Sequence, residues 1–97
     1  MEFKDQAERI SYYEGLLNEA IETIGFMGAS LDAFKELQPK IKELDEYYGS
    51  ETWKQDLADD DAGLLPEDLK RGVLSEDGIW NVLIENREII DELKELF

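Results

Sequence analysis

From Phe3 to Tyr48 apolar side chains recur at steps of three and four residues, and Gln38 is the one polar member of the series. Phe3, Ala7, Ile10, Tyr13, Leu17, Ala20, Ile24, Met27, Leu31, Phe34, Ile41, Leu44 and Tyr48 carry the rest. Side chains three and four apart lie on one face of an α-helix, whereas a strand would expose a face at every second residue. A stripe of this length commits half the chain to helix before anything else is known. A second stripe closes the chain: Ile79, Leu83, Asn86, Ile90, Leu93 and Phe97, widened by Trp80, Val82, Ile89 and Leu96. No segment alternates as a strand does, and no repeat of solenoid length is present. The fold class is all-α, a small helical bundle, and 97 residues are enough for a single domain over residues 1–97.

The first stripe admits two courses. Gly28 can end one helix in the left-handed conformation and Ser30 can cap the next, which makes an αα-hairpin and is the course favoured here. Alternatively one helix runs on, since an unbroken stripe follows automatically from a single helix. In either case Pro39 has no N–H to give and crowds the preceding turn, so a kink or restart is expected after Gln38.

Between the stripes lies the segment Tyr47–Trp80, YYGSETWKQDLADDDAGLLPEDLKRGVLSEDGIW, where most of the aromatic and turn chemistry is concentrated. Gly49 reads as a left-handed terminator and Ser50 as the cap of a short helix with Trp53 and Leu57 on one ridge. That helix runs out in Asp59, Asp60 and Asp61, where negative charge opposes the helix dipole. PEDLKRG reads as a single capped turn that begins at Pro66 and ends at Gly72. Ser75, with Glu76 and Asp77 behind it, is placed to start a last helix ending near Leu96.

Charge excludes several roles. Twenty-five acidic against ten basic side chains leave −15, spread over both halves, a field that repels phosphate backbones and anionic membrane surfaces. Direct nucleic-acid or membrane binding is therefore not expected. No run approaches the roughly 18 apolar residues of a membrane span. The polar N-terminus MEFKDQAERI lacks a signal-peptide core, and no cysteine is present, as suits a cytoplasmic protein.

YYGSETW, the acid-rich LADDDAG, LPEDLKRGVLSEDG and NVLIENRE resemble a bacterial family known as domain of unknown function 4298. The resemblance is dense from Leu44 to Glu88, looser over QPKIKELDEYY, and adds nothing over the first thirty residues. It implies a small, mostly helical, cytoplasmic bacterial protein, and it brings no activity, ligand or catalytic residue. Relatives look like plain helix where this chain has Gly25 and Gly28, which keeps the single long helix open.

The absence of histidine removes the usual general base and the commonest metal ligand. Carboxylates, Lys, Tyr and Ser remain, without a diagnostic spacing, so no catalytic residue or cofactor is assigned. Asp56, Asp59, Asp60 and Asp61 are the weak candidates for a cation site, but the spacing is not that of an EF-hand and solvated or Arg-paired acids are the better reading. Arg71 either folds back on this cluster, its fork of donors serving two carboxylates, or stays solvated beside Lys70, and the two courses are left open. Tyr47, Tyr48, Trp53 and Trp80, with Lys70 and Arg71, form the expected junction or interaction surface, the aromatics read mainly as core. Of the adjacent Tyr12 and Tyr13, one at least must face away from the stripe.

Elimination leaves a protein–protein interaction or scaffold module, with an unidentified protein or a second copy of the chain as partner. An acidic mimic that occupies the basic site of a nucleic-acid-binding protein is the alternative, and a metal-dependent enzyme ranks third.

Overall fold

The computed structural model describes residues 2 and 4–96, so the stripe positions Phe3 and Phe97 lie outside the described residues. The order of elements is α1 (Gln6–Tyr48), α2 (Glu51–Asp61), a 3-10 turn (Gly72–Leu74) and α3 (Gly78–Glu95), with no strand among the described residues. The all-α reading holds.

The expected hairpin does not form. α1 is one helix of 43 residues that passes through Gly25, Gly28 and Ser30 without a break. Neither glycine takes a left-handed backbone; Gly63 alone does so among the described residues. Glycine permits that conformation without requiring it, and keeping it helical costs about 1 kcal/mol relative to Ala. The restart expected at Pro39 is also absent, since Pro39 lies inside α1 and leaves only the Lys35 carbonyl without its usual donor. At its start, α1 is capped by Asp5, whose carboxylate accepts from the Glu8 amide at 2.8 Å.

The chain divides into two compact units, residues 1–37 and 38–97. The first is the leading part of α1, exposed along most of its length, with Leu31 and Phe34 half-buried. The second holds the end of α1 and everything after it. Its core centres on Ile41 of α1, Leu74 of the 3-10 turn and Ile79 of α3, which are buried, with Leu44, Leu57, Leu83, Ile84, Ile90 and Leu93 half-buried around them. The α3 stripe appears as expected except that Trp80, Val82, Ile89 and Leu96 are exposed and Ile84 takes a place in it.

Each stripe carried one internal polar residue, and the fold brings the two together. The Gln38 amide donates to Asn86 Oδ1 at 2.9 Å, and the Asn86 amide donates back to Gln38 Oε1 at 3.0 Å. This reciprocal, partly buried pair fixes the register of α1 against α3 within the second unit, because a one-turn slip would leave two amides facing apolar side chains.

Candidate functional site

The junction that joins the end of α1 to α2 and the 3-10 turn is built on Ser50. Its hydroxyl donates to the Tyr47 carbonyl at 2.6 Å, closing α1, and accepts from the Trp53 amide at 3.2 Å, opening α2. One side chain thus satisfies both helix ends, and Gly49 needs no left-handed backbone; the terminator expected there is not used.

Across this joint the Tyr47 hydroxyl donates to Asp56 Oδ2 at 2.5 Å. The hydrogen bond to Asp56 raises the Tyr47 pKa above its ordinary value, with burial and the carboxylate charge adding in the same direction, since ionising the phenol would forfeit the donor. The Tyr48 ring meets the Trp53 indole edge-on with centroids 4.8 Å apart. The Trp53 indole N–H donates to the Val73 carbonyl at 3.0 Å, which ties α2 to the 3-10 turn. These three aromatics are half-buried, in keeping with their reading as packing groups, whereas Trp80 is 52% exposed and is not core.

The acid-rich end of α2 is closed by backbone. The Leu64 amide donates to the Asp59 carbonyl at 2.9 Å and the Gly63 amide to Asp60 at 3.0 Å, with Gly63 at φ 72°. This is the six-to-one and five-to-two pairing of a Schellman end, which requires a left-handed residue. Of the two courses open to Arg71, the structure takes the return to the helix end. Arg71 Nε lies 2.7 Å from Asp60 Oδ1, at an angle that makes an ion pair rather than a directed hydrogen bond, and its Nη2 donates to the Pro66 carbonyl at 2.6 Å. The fork serves one carboxylate and one carbonyl, not two carboxylates. Lys70 is exposed.

PEDLKRG is not a helical turn. Pro66–Leu69 closes as a simple turn through the Leu69 amide and Pro66 carbonyl at 3.2 Å, and helical backbone begins at Gly72, where it was expected to end. Ser75 binds the start of α3 through its hydroxyl, which accepts from the Gly78 amide at 3.1 Å and donates to the Gly72 carbonyl at 2.7 Å. The helix begins only at Gly78 with Asp77 at its N-cap position, so Glu76 and Asp77 do not lie in the first turn where they were expected. A Cβ at Gly78 would collide with that Gly72 carbonyl and stand 2.7 Å from Ser75 Oγ, so close passage of backbone makes this glycine obligatory.

The four aspartates do not converge. Asp56 receives Tyr47, Asp59 receives the Gln55 amide at 2.9 Å, Asp60 pairs with Arg71, and Asp61 is exposed. Among the described residues no group of three or more carboxylates is placed to share a metal ion. A surface groove of about 340 Å³ is lined by Lys40, Glu43, Leu44 and Tyr47, a single helix face with one cation and one anion on it. Chemically, the junction is a joint whose polar groups are spent on one another.

The longest run of exposed large apolar side chains among the described residues lies elsewhere, in the first unit. Ile10, Leu17, Ile21, Ile24 and Met27 are all exposed, as is Leu16 beside them. The sequence signal for it was present: from Gly15 to Leu31 the only charged residues are Glu19 and Glu22 in an otherwise strongly acidic chain. The periodicity alone did not mark it, because the same stripe continues into residues that the fold buries.

A family model described as domain of unknown function, DUF4298, matches residues 10–96. It therefore reaches well beyond the segment from Leu44 to Glu88 and takes in most of α1. No curated protein and no solved structure matches the chain.

Proposed function

We propose that this chain, which belongs to the DUF4298 family, is a bacterial cytoplasmic protein–protein interaction module whose contact surface is the leading part of α1. The observation that carries this is the exposure of large apolar side chains along one stretch of helix: Ile10 58%, Leu17 53%, Ile21 62% and Ile24 71%. Contiguous apolar surface of this kind is seldom left to water. The helix beneath it also gains little from its own propensity, since Gly15, Gly25 and Gly28 each cost about 1 kcal/mol relative to Ala. Helices in water are held mainly by packing of an apolar face, so a covering surface supports this one. The rest of the molecule supplies a small core: only Ile41, Leu74 and Ile79 are buried among the described residues, and small helical chains commonly complete such cores by association. The charge of −15 repels anionic membrane surfaces, so a protein surface is the covering proposed.

The test is capture of a partner from the native cytoplasm by the full chain and by the variant Leu17→Glu/Ile24→Glu. Capture that resists moderate salt and is lost in the variant supports the reading. Capture that survives the variant and disappears at moderate salt points to an acidic surface acting as a nucleic-acid mimic.

A further inference from the structure

We infer that the surface covering the leading part of α1 is the same segment of a second copy of the chain, in a parallel, in-register two-stranded coiled coil; this rests on the interaction reading above and specifies its partner. Between residues 10 and 27 the apolar series is a strict heptad. Ile10, Leu17 and Ile24 fall at the first core position, and Tyr13, Ala20 and Met27 at the fourth. A period of 3.5 residues keeps one seam facing a partner along its whole length, where an ordinary amphipathic face would drift around the helix. Through these residues α1 is unbroken and the seam is exposed; one heptad further, at Leu31 and Phe34, the same positions become half-buried. The open stretch is thus bounded within the molecule.

Charge placement agrees with pairing. Flanking the seam, Leu16, Ile21, Thr23 and Gly28 are uncharged, and Glu19 and Glu22 fall at the outer positions of the heptad. A strongly acidic chain could not otherwise bring two copies together along this face without repulsion. The flanking charges that do occur, Arg9 and Glu14, are five residues apart, the spacing at which the two chains of a parallel coiled coil exchange ion pairs. Parallel pairing sets Arg9 beside Glu14 of the partner subunit twice by symmetry. Antiparallel pairing over the same residues, with Ile10 opposite Met27, sets Arg9 near Ser30 and Glu14 near Ile21, with no opposite charge to meet.

The area suffices. The six seam residues with Leu16 and Ile21, already part-covered by their own helix, each lose roughly 60–80 Å² on pairing. Over both copies this comes to roughly 1,000–1,300 Å², at the lower bound for a specific interface and consistent with micromolar dissociation.

Sedimentation equilibrium of the full chain, from low micromolar to near-millimolar concentration, tests the assembly. The expected result is a reversible dimer, weakened at least about 30-fold by Ile24→Glu and unchanged by the outward-facing Glu22→Gln, with the helical circular dichroism of unit 38–97 retained in both. Because the chain has no cysteine, single-cysteine variants report register directly. Met27→Cys should oxidise to a covalent dimer and Glu19→Cys should not. A wild-type chain that stays monomeric at near-millimolar concentration overturns the second copy while leaving capture of a different protein to decide the interaction reading. A dimer that ignores Ile24→Glu forms through another surface and overturns the second copy as the cover of this face, again leaving capture with the Leu17→Glu/Ile24→Glu variant to decide the interaction reading. Crosslinking confined to mixtures of Tyr13→Cys with Ile24→Cys, which face each other only in the antiparallel register, overturns the parallel arrangement.

Discussion

Replacing Gln38 by Leu leaves the Asn86 amide facing an apolar side chain in a partly buried contact, and replacing Asn86 by Leu does the same to Gln38. Each single change forfeits two hydrogen bonds, at about 0.5–1.5 kcal/mol net apiece, and strands one amide in place of water. Partial burial moderates the cost, so each single variant should lose about 1–2 kcal/mol. Replacing both restores a matched, apolar pair at the same register, and the double variant should lie within about 0.5 kcal/mol of wild type or above it. The coupling energy of the cycle is then about 1.5–4 kcal/mol. For a chain of this length 1 kcal/mol moves Tm by about 4–8 °C, well within reach of calorimetry or thermal circular dichroism at fixed protein concentration. Losses that simply add in the double variant would show that the two amides do not depend on each other and would refute the account of register given above.

Three further outcomes follow from the junction. Arg71→Ala, which removes the Asp60 ion pair and the Pro66 bond together, should lower Tm by several degrees, about 1 kcal/mol, while Lys70→Ala should change it negligibly; equal effects would remove the role given to Arg71. Gly78→Ala should cost about 1–3 kcal/mol through the collision with the Gly72 carbonyl, far more than Gly72→Ala, whose Cβ meets open space; denaturant midpoints decide between them. The Tyr47 phenol has its pKa raised in the folded state, so its bond to Asp56 stabilises fully below the unfolded value of about 10 and is lost as pH rises through the folded value. Tyr47→Phe should therefore be less stable than wild type at neutral pH and approach it at strongly alkaline pH. A stability difference that stays constant across that range counts against the bond.

Helix was legible from the 3–4 spacing because that periodicity is a local property of where Cβ atoms point, and the hydroxyl bonds of Ser50 and Ser75 at helix starts were legible because a hydroxyl before a helix start satisfies amides within three residues. The return of Arg71 to the aspartates was one of the two courses that an unfavourable helix end and a nearby guanidinium left open. What the sequence could not decide were choices between local conformations of similar energy. Gly25 and Gly28 can sit in a turn or in a helix within about 1 kcal/mol, and Gly49 or Gly63 could each have been the left-handed terminator. Likewise the stripes show that Gln38 and Asn86 are misfits in apolar rows, but only the packing of α1 on α3 makes each the solution to the other. The exposure of residues 10–27 is of the same kind: one uninterrupted periodic pattern covers both a buried and an open half of α1, and since periodicity records which side chains share a face and not what lies opposite, tertiary structure alone separates them.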